Sequence, residues 1–189
     1  STSCLNALRE KLSVPVVGVV PAIKTASAAS RTHVFGVLAT PFTVQSDYTD
    51  DLVRKFAPGC EVIAIGTQKL VEEAENKIYG RTVDLKVISD EVQPLVQRAN
   101  VDSVVLACTH FIHLIPELTG VFVRPVQWIE TGPAIARRVI TLLSMQSFKL
   151  LPPRVAIPVI AYATAPLEVP EPVRGTWQRQ YSFCEVLPL

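Results

Sequence analysis

The chain has 189 residues, 49% of them hydrophobic, enough for one large domain or two small lobes with a sizeable core. Its 18 lysines and arginines nearly balance 17 aspartates and glutamates, so no basic field argues for nucleic acid and no acidic surplus for a disordered tail. The four cysteines, Cys4, Cys60, Cys108 and Cys184, are scattered without a CxxC pair or metal-ligand spacing, and proline or charge breaks every apolar run short of a membrane span. These features predict a soluble, cytoplasmic protein with free thiols and no metal.

Thr2 to Leu12 reads as an amphipathic helix, with Leu5, Leu8 and Leu12 at helical spacing. The chain opens at Ser1 without a methionine and with nothing ahead of that helix, so the expectation is an excised or truncated piece. Val14 to Val20 is a β-branched run bounded by Pro15 and Pro21, the pattern of a strand buried on both faces. Strands and helices then alternate. Val34 to Leu38, Glu61 to Ile65, Ser103 to Ala107 and Val126 to Ile129 read as strands; Asp50 to Phe56, Lys69 to Ile78, Asp84 to Arg98, Ile112 to Leu118 and Pro133 to Leu143 read as helices. That order predicts an α/β fold, a doubly wound parallel sheet with helices on both faces. The proline-rich tail holds weaker signals: strands near Val155 to Ala161 and Ser182 to Val186 and a helix near Val173 to Gln180. Residues 21–148 therefore read as one near-complete lobe, and residues 1–20 with 149–189 as parts of a second, similar lobe.

The run from Val104 to Phe111 carries the chemistry, because an apolar strand ends on Cys108, Thr109 and His110 together. The positive end of the following helix is expected to lower the thiol's pKa, with His110 supplying or relaying a proton. The bland alternative is an inert buried cysteine. Ligands of open α/β sheets bind at the carboxyl ends of the strands, and here each of those ends carries a hydroxyl: Thr40 and Thr43, Thr67, Thr109, and Thr131. Such hydroxyls suit a small carboxylate, although capping the next helix explains some of them. No GxGxxG, GxxxxGK[ST] or GxSxG motif occurs. His33 and His113 read as solvent-exposed.

Four ordered blocks, VPVVGVVPAIK (14–24), VLATPFTV (37–44), VVLACTHF (104–111) and ETGPAIARR (130–138), make the chain from Ser1 to about Leu143 similar to the cofactor-independent glutamate racemases. The resemblance implies that Cys108 is one of two cysteines facing each other across the substrate's α-carbon, one thiolate taking the proton and the other thiol returning one. It further implies that His110 assists Cys108, that Thr40, Thr43 and Thr109 hold the substrate's carboxylate and amine region, and that Glu72 is an acidic residue poised near the substrate. The family's first cysteine lies just before the helix that opens this chain, so it is expected to be missing, together with the preceding strand and its loop. Ala107, Ile112, Glu130 and Thr131 replace residues more usual in the family.

The resemblance implies L-to-D racemisation of glutamate for peptidoglycan synthesis without a cofactor, by a protein that binds neither nucleic acid nor membrane. It leaves open a homodimer and activation by a cell-wall precursor. For the chain as given, the missing cysteine predicts inactivity. Racemisation of aspartate or a hydantoin, and a non-catalytic binding or regulatory fragment, are the alternatives.

Overall fold

The computed structural model describes residues 4–145, 159–163, 169–171, 173–175 and 184–188. The first elements are α1 (Leu5–Lys11), α2 (Ile23–Ala29), β1 (Val34–Ala39), α3 (Pro41–Val44), α4 (Asp47–Phe56) and β2 (Glu61–Gly66). They are followed by α5 (Lys69–Ile78), α6 (Leu85–Val96), β3 (Ser103–Leu106), a 3₁₀ helix (Phe111–Leu114), α7 (Ile115–Val121), β4 (Gln127–Ile129) and α8 (Gly132–Met145). Towards the C-terminus, β5 (Val159–Ala163) and β6 (Cys184–Pro188) pair in parallel as a separate two-stranded sheet.

The main sheet is parallel throughout, in the order β2-β1-β3-β4. Every residue of β1 and β3 is buried, because helices cover both faces. Side chains alternate across a strand, and the alternation assigns each residue to a layer. Val34 and Leu38 of β1 join Val104 and Leu106 of β3 in one core with Leu70, Ala74, Ile88, Leu95, Phe111 and Leu118 of the helical layer α5–α7. Phe35, Val37 and Ala39 join Val105 and Ile129 in the opposite core with Ile23 and Ala26 of α2, against which Leu52 and Phe56 of α4 pack. Gly36 is the exception to bulk. A Cβ there would stand 2.8 Å from the Leu95 side chain, so the glycine admits α6 close to the sheet. Each fully buried Leu or Phe in these layers contributes about 1.5–3 kcal/mol.

Two polar anchors set the strand starts. The Asp102 carboxylate accepts from the Arg31 and Thr32 backbone N–H groups at 2.7 and 3.0 Å, tying the loop before β1 to the start of β3. Arg124 donates to the carbonyls of Val96 (2.8 Å), Leu95 (2.9 Å) and Val101 (3.3 Å), so it satisfies the end of α6 while bracing β3. His33, with φ of 57°, makes the left-handed turn into β1, and His33 and His113 are both exposed as expected.

The structure departs from the sequence reading at several elements. Val14 to Val20 forms no strand among the described residues; Val14 is 59% exposed and residues 16–20 are only half-buried. Proline at both flanks removes ladder donors, and α1 rather than a strand lies over the run. A Cβ at Gly18 would meet Leu5 Cδ2 at 2.6 Å, and Arg9 Nε donates to the Val16 carbonyl at 3.3 Å. Two short helices, α2 and α3, were not expected, and the segment after His110 opens as a 3₁₀ turn before α7. The tail strands are both present, shifted to β5 and β6, while residues 176–180 of the expected final helix lie outside the described residues. No described helix is long and apolar enough to cross a membrane.

Candidate active site at the switch point

From β1 the chain moves outward to β2, then returns past β1 to β3 and on to β4, so the strand order reverses between β1 and β3. In an open α/β sheet the crevice above that reversal is the expected ligand site. Leu38 of β1 and Leu106 of β3 are register partners, and Ala107 N–H continues the ladder to the Leu38 carbonyl at 2.8 Å. Thr40 and Cys108, each two residues past that pair, therefore flank the crevice.

On the β1 side, Pro41 opens α3 immediately, and α3 sits on the end of β2. A Cβ at Gly66 would lie 2.8 Å from the Pro41 Cα, an approach that only glycine permits. Thr40 and Thr43 face each other with hydroxyls 3.0 Å apart. The Thr43 carbonyl accepts from the Ser46 and Thr49 hydroxyls at 2.8 and 2.7 Å, which anchors the loop from behind and leaves the Thr40–Thr43 pair on the rim.

On the β3 side, the buried Phe111 and Leu114 root the 3₁₀ turn in the core, and Phe111 N–H donates to the Cys108 carbonyl at 3.2 Å. This holds Cys108 half-buried, with its Sγ 3.7 Å from His110 Nδ1. On its other side, His110 Nε2 stands 2.6 Å from the Glu75 carboxylate of α5. Because that carboxylate takes a proton donor, Nε2 carries hydrogen and Nδ1 is the nitrogen presented to the sulfur. The result is a Cys–His–Glu relay across two elements that are 35 residues apart in sequence.

The thiol's proton affinity differs from the expectation. Burial pushes the Cys108 thiol above its ordinary range, and the backbone N–H groups of His110 and Phe111 only partly offset this. A four-residue 3₁₀ turn, rather than a long helix, begins at Phe111, so there is little macrodipole to draw the value down. Burial therefore favours the protonated form of this thiol.

The remaining candidates separate clearly. Thr109 is exposed on the rim. Glu72 is exposed in the first turn of α5 and makes no hydrogen bond to Cys108 or His110, whereas Glu75, one turn later, does reach the histidine. Glu73 points inward and accepts from the Asp84 N–H at 2.7 Å. Thr67 is buried, accepts from the Leu70 N–H at 3.3 Å and donates to Glu91, so it braces the start of α5 instead of facing a ligand. Among the described residues no group of three or more His, Cys, Asp or Glu side chains converges as a metal site.

A second feature lies away from Cys108. A cavity of about 620 Å³ is walled by the Val14–Ala22 run, α2, α4 and α8, and its polar lining is dominated by Arg9, Lys24 and Arg138 with Tyr48, Thr25 and Thr131. Among the described residues, three cations and no carboxylate line it, which suits a large anionic ligand.

Residues 2–139 match the family model described as Asp/Glu/Hydantoin racemase. The chain belongs to the Asp/Glu/hydantoin racemase family. It is 46% identical over 147 residues to a glutamate racemase of Yersinia pseudotuberculosis serotype IB, covering 77% of this chain and 51% of that protein. It is 42% identical over 144 residues to a glutamate racemase of Shewanella pealeana, covering 76% of this chain and 53% of the relative. The chain thus spans about half the length of the curated relatives it matches. Its fold superposes on the crystal structure of Escherichia coli glutamate racemase in complex with L-glutamate and the activator UDP-MurNAc-ala. That match has a TM-score of 0.84 at 37% identity, covering 100% of this chain and 70% of that one. Membership of this family agrees with the parallel α/β architecture.

Proposed function

We propose that this chain contributes one acid–base face of a cofactor-independent racemase acting on glutamate, with Cys108 as the group that exchanges the α-proton. The observation that carries the reading is the Cys108–His110–Glu75 relay opening on the β1/β3 crevice. In one direction His110 accepts the thiol proton, and the thiolate then takes the α-proton of the substrate. In the other, the Cys108 thiol delivers its proton to the carbanionic centre while the His110 imidazolium reprotonates the sulfur. The Thr40–Thr43 hydroxyl pair and Thr109 hold the substrate's carboxylate and amine region beside the sulfur. Glu72, exposed at the start of α5, faces the amino group once substrate is bound. The opposite face requires a second thiol, which in this family comes from a second lobe.

Glutamate is favoured over aspartate or a hydantoin by the relatives, all glutamate racemases. Its D-enantiomer is a peptidoglycan building block, so a cytoplasmic site of action follows. The test is α-deuteration of each glutamate enantiomer in deuterated water, read by mass spectrometry, with optical inversion followed in parallel. This chain alone is expected to deuterate one enantiomer slowly without inverting it. Supplied with a family lobe that carries the second cysteine, it is expected to invert both. Inversion by the chain alone would overturn the two-thiol reading, and equal activity on aspartate would overturn the substrate.

The cationic cavity supports a second reading, control by an anionic cell-wall precursor. The Escherichia coli relative was crystallised with UDP-MurNAc-ala as activator, a ligand whose phosphates match Arg9, Lys24 and Arg138. Calorimetric binding of UDP-MurNAc-ala that is weakened by Arg9→Ala would support this, and binding indifferent to the cavity's cations would remove it.

A further inference from the structure

The relay depends on α5 staying where it is, since Glu75 is its one member outside the Cys108–His110 segment. The segment from His110 to Val121 meets α5 at two charged contacts. One is Glu75 on His110. The other is Lys77, whose Nζ lies 2.6 and 2.7 Å from the two carboxylate oxygens of Glu117 in α7. The pair is more than half-buried, with side-chain exposures of 34% and 18%. Burial opposes ionisation of Glu117, yet the hydrogen bond and charge of Lys77 bring its carboxyl below the usual range, so Glu117 is a carboxylate at neutral pH.

The spacing of the two contacts matters. Along α5 they are two residues apart, and along the facing segment seven, from His110 to Glu117. Two helical residues advance about 3 Å and seven about 10 Å, so the ion pair grips the facing segment well away from the His110 contact. A single polar tie leaves α5 free to pivot about it, and a second tie at a different point restricts that motion. Leu70 and Ala74 share one core with Phe111, Leu114 and Leu118 of the facing segment, so apolar packing sets how closely α5 approaches, and the Lys77–Glu117 pair adds a polar tie at the C-terminal end of α5.

We propose that Lys77 and Glu117 are positioning residues for Cys108, their ion pair holding α5 so that Glu75 keeps His110 Nδ1 directed at the sulfur. The proposal rests on the acid–base role of Cys108 above. Among the described residues, the groups linked to the sulfur that can titrate or carry charge are His110 on its own segment and Glu75 on α5, with the exposed Glu72 one turn earlier on α5.

The experiment measures the iodoacetamide alkylation rate of Cys108 against pH, read at the Cys108 peptide by mass spectrometry, which requires no turnover. Glu75→Gln defines the loss of the relay and is expected to lower the rate near pH 8 by roughly threefold. Lys77→Met and Glu117→Gln should each reproduce that profile, and each should add nothing to Glu75→Gln in the double variant. Lys77→Arg, and the exchange of Lys77→Glu with Glu117→Lys, should keep the parental profile. A purely structural pair would lower the thermal midpoint without moving the profile, so unfolding is followed on the same samples. Parental profiles in both Lys77→Met and Glu117→Gln would overturn the proposal, as would a stably folded charge exchange that fails to restore the profile. A profile indifferent to Glu75→Gln would overturn the relay itself, and the proposal with it; that outcome is distinct because it appears in a variant with Lys77–Glu117 intact.

Discussion

The Cys108 rim and the cationic cavity are built on opposite principles. At the rim a few polar groups converge on one sulfur, each held by the core beneath it: Phe111 and Leu114 fix the 3₁₀ turn, and Gly66 lets α3 close over β2. The cavity is roomy, apolar over much of its wall, and carries three separate cations from α1, α2 and α8. Short, rooted contacts suit proton transfer, where small displacements cost rate. Spread charges on several elements suit recognition of a large anion whose binding can shift those elements relative to one another.

The widest gap between the two regions is expected from Cys108→Ala. Deuteration of glutamate should vanish, while calorimetric binding of UDP-MurNAc-ala stays at the parental level; a joint loss would mean that the regions are one site. Next in size, Arg9→Ala or Arg138→Ala should weaken that binding by about 10- to 100-fold, the range of a hydrogen bond to a charged group. Neither should alter the alkylation profile of Cys108. A smaller effect is expected at Gly66→Ala, where the new Cβ would press on the Pro41 backbone. Overpacking of this kind costs about 1–3 kcal/mol, so chemical denaturation should show a lower midpoint with an unchanged slope. Glutamate exchange should fall more than precursor binding.

The smallest effect concerns pH. Burial raises the folded-state pKa of the Cys108 thiol, so the folded chain holds that proton more tightly than the unfolded one. The sign follows from linkage. The contribution is fully present below the unfolded thiol's value, about 8.5, and is lost as pH rises from there through the higher folded value. Denaturation midpoints should therefore decline more steeply above pH 9 in the parent than in Cys108→Ala, and parallel curves would show that the thiol is not raised.

Much of this fold was legible from periodicity. The strands β1 to β4 and the helices α4 to α6 were found because apolar residues recur with the period that each burial pattern demands. The helices α2 and α3, with seven and four residues and no side-chain cap, are too short to carry such a signal. Val14 to Val20 misled because an apolar β-branched run looks alike whether it pairs in a sheet or packs under Leu5. Cys108, His110, Thr40 and Thr43 were visible as chemistry at strand ends. Glu75 was not singled out, since LVEEAE offers three acids and only the docking of α5 on the 3₁₀ turn decides which one meets His110. Likewise Thr67 resembles its rim neighbours in sequence, and only its burial against Glu91 separates it from them. The thiol's raised pKa was also beyond reach, because it follows from burial that tertiary packing creates.

The most direct test of the account is the rate of α-deuteration of glutamate in paired variants, Glu75→Gln and Glu72→Gln, each compared with the parent at saturating substrate. If Cys108 works through His110 and Glu75, Glu75→Gln lowers the maximal rate by about 10-fold or more, and Glu72→Gln leaves it within a factor of about two while changing the substrate concentration needed. A parental maximal rate in Glu75→Gln, with the loss appearing in Glu72→Gln instead, would contradict the relay.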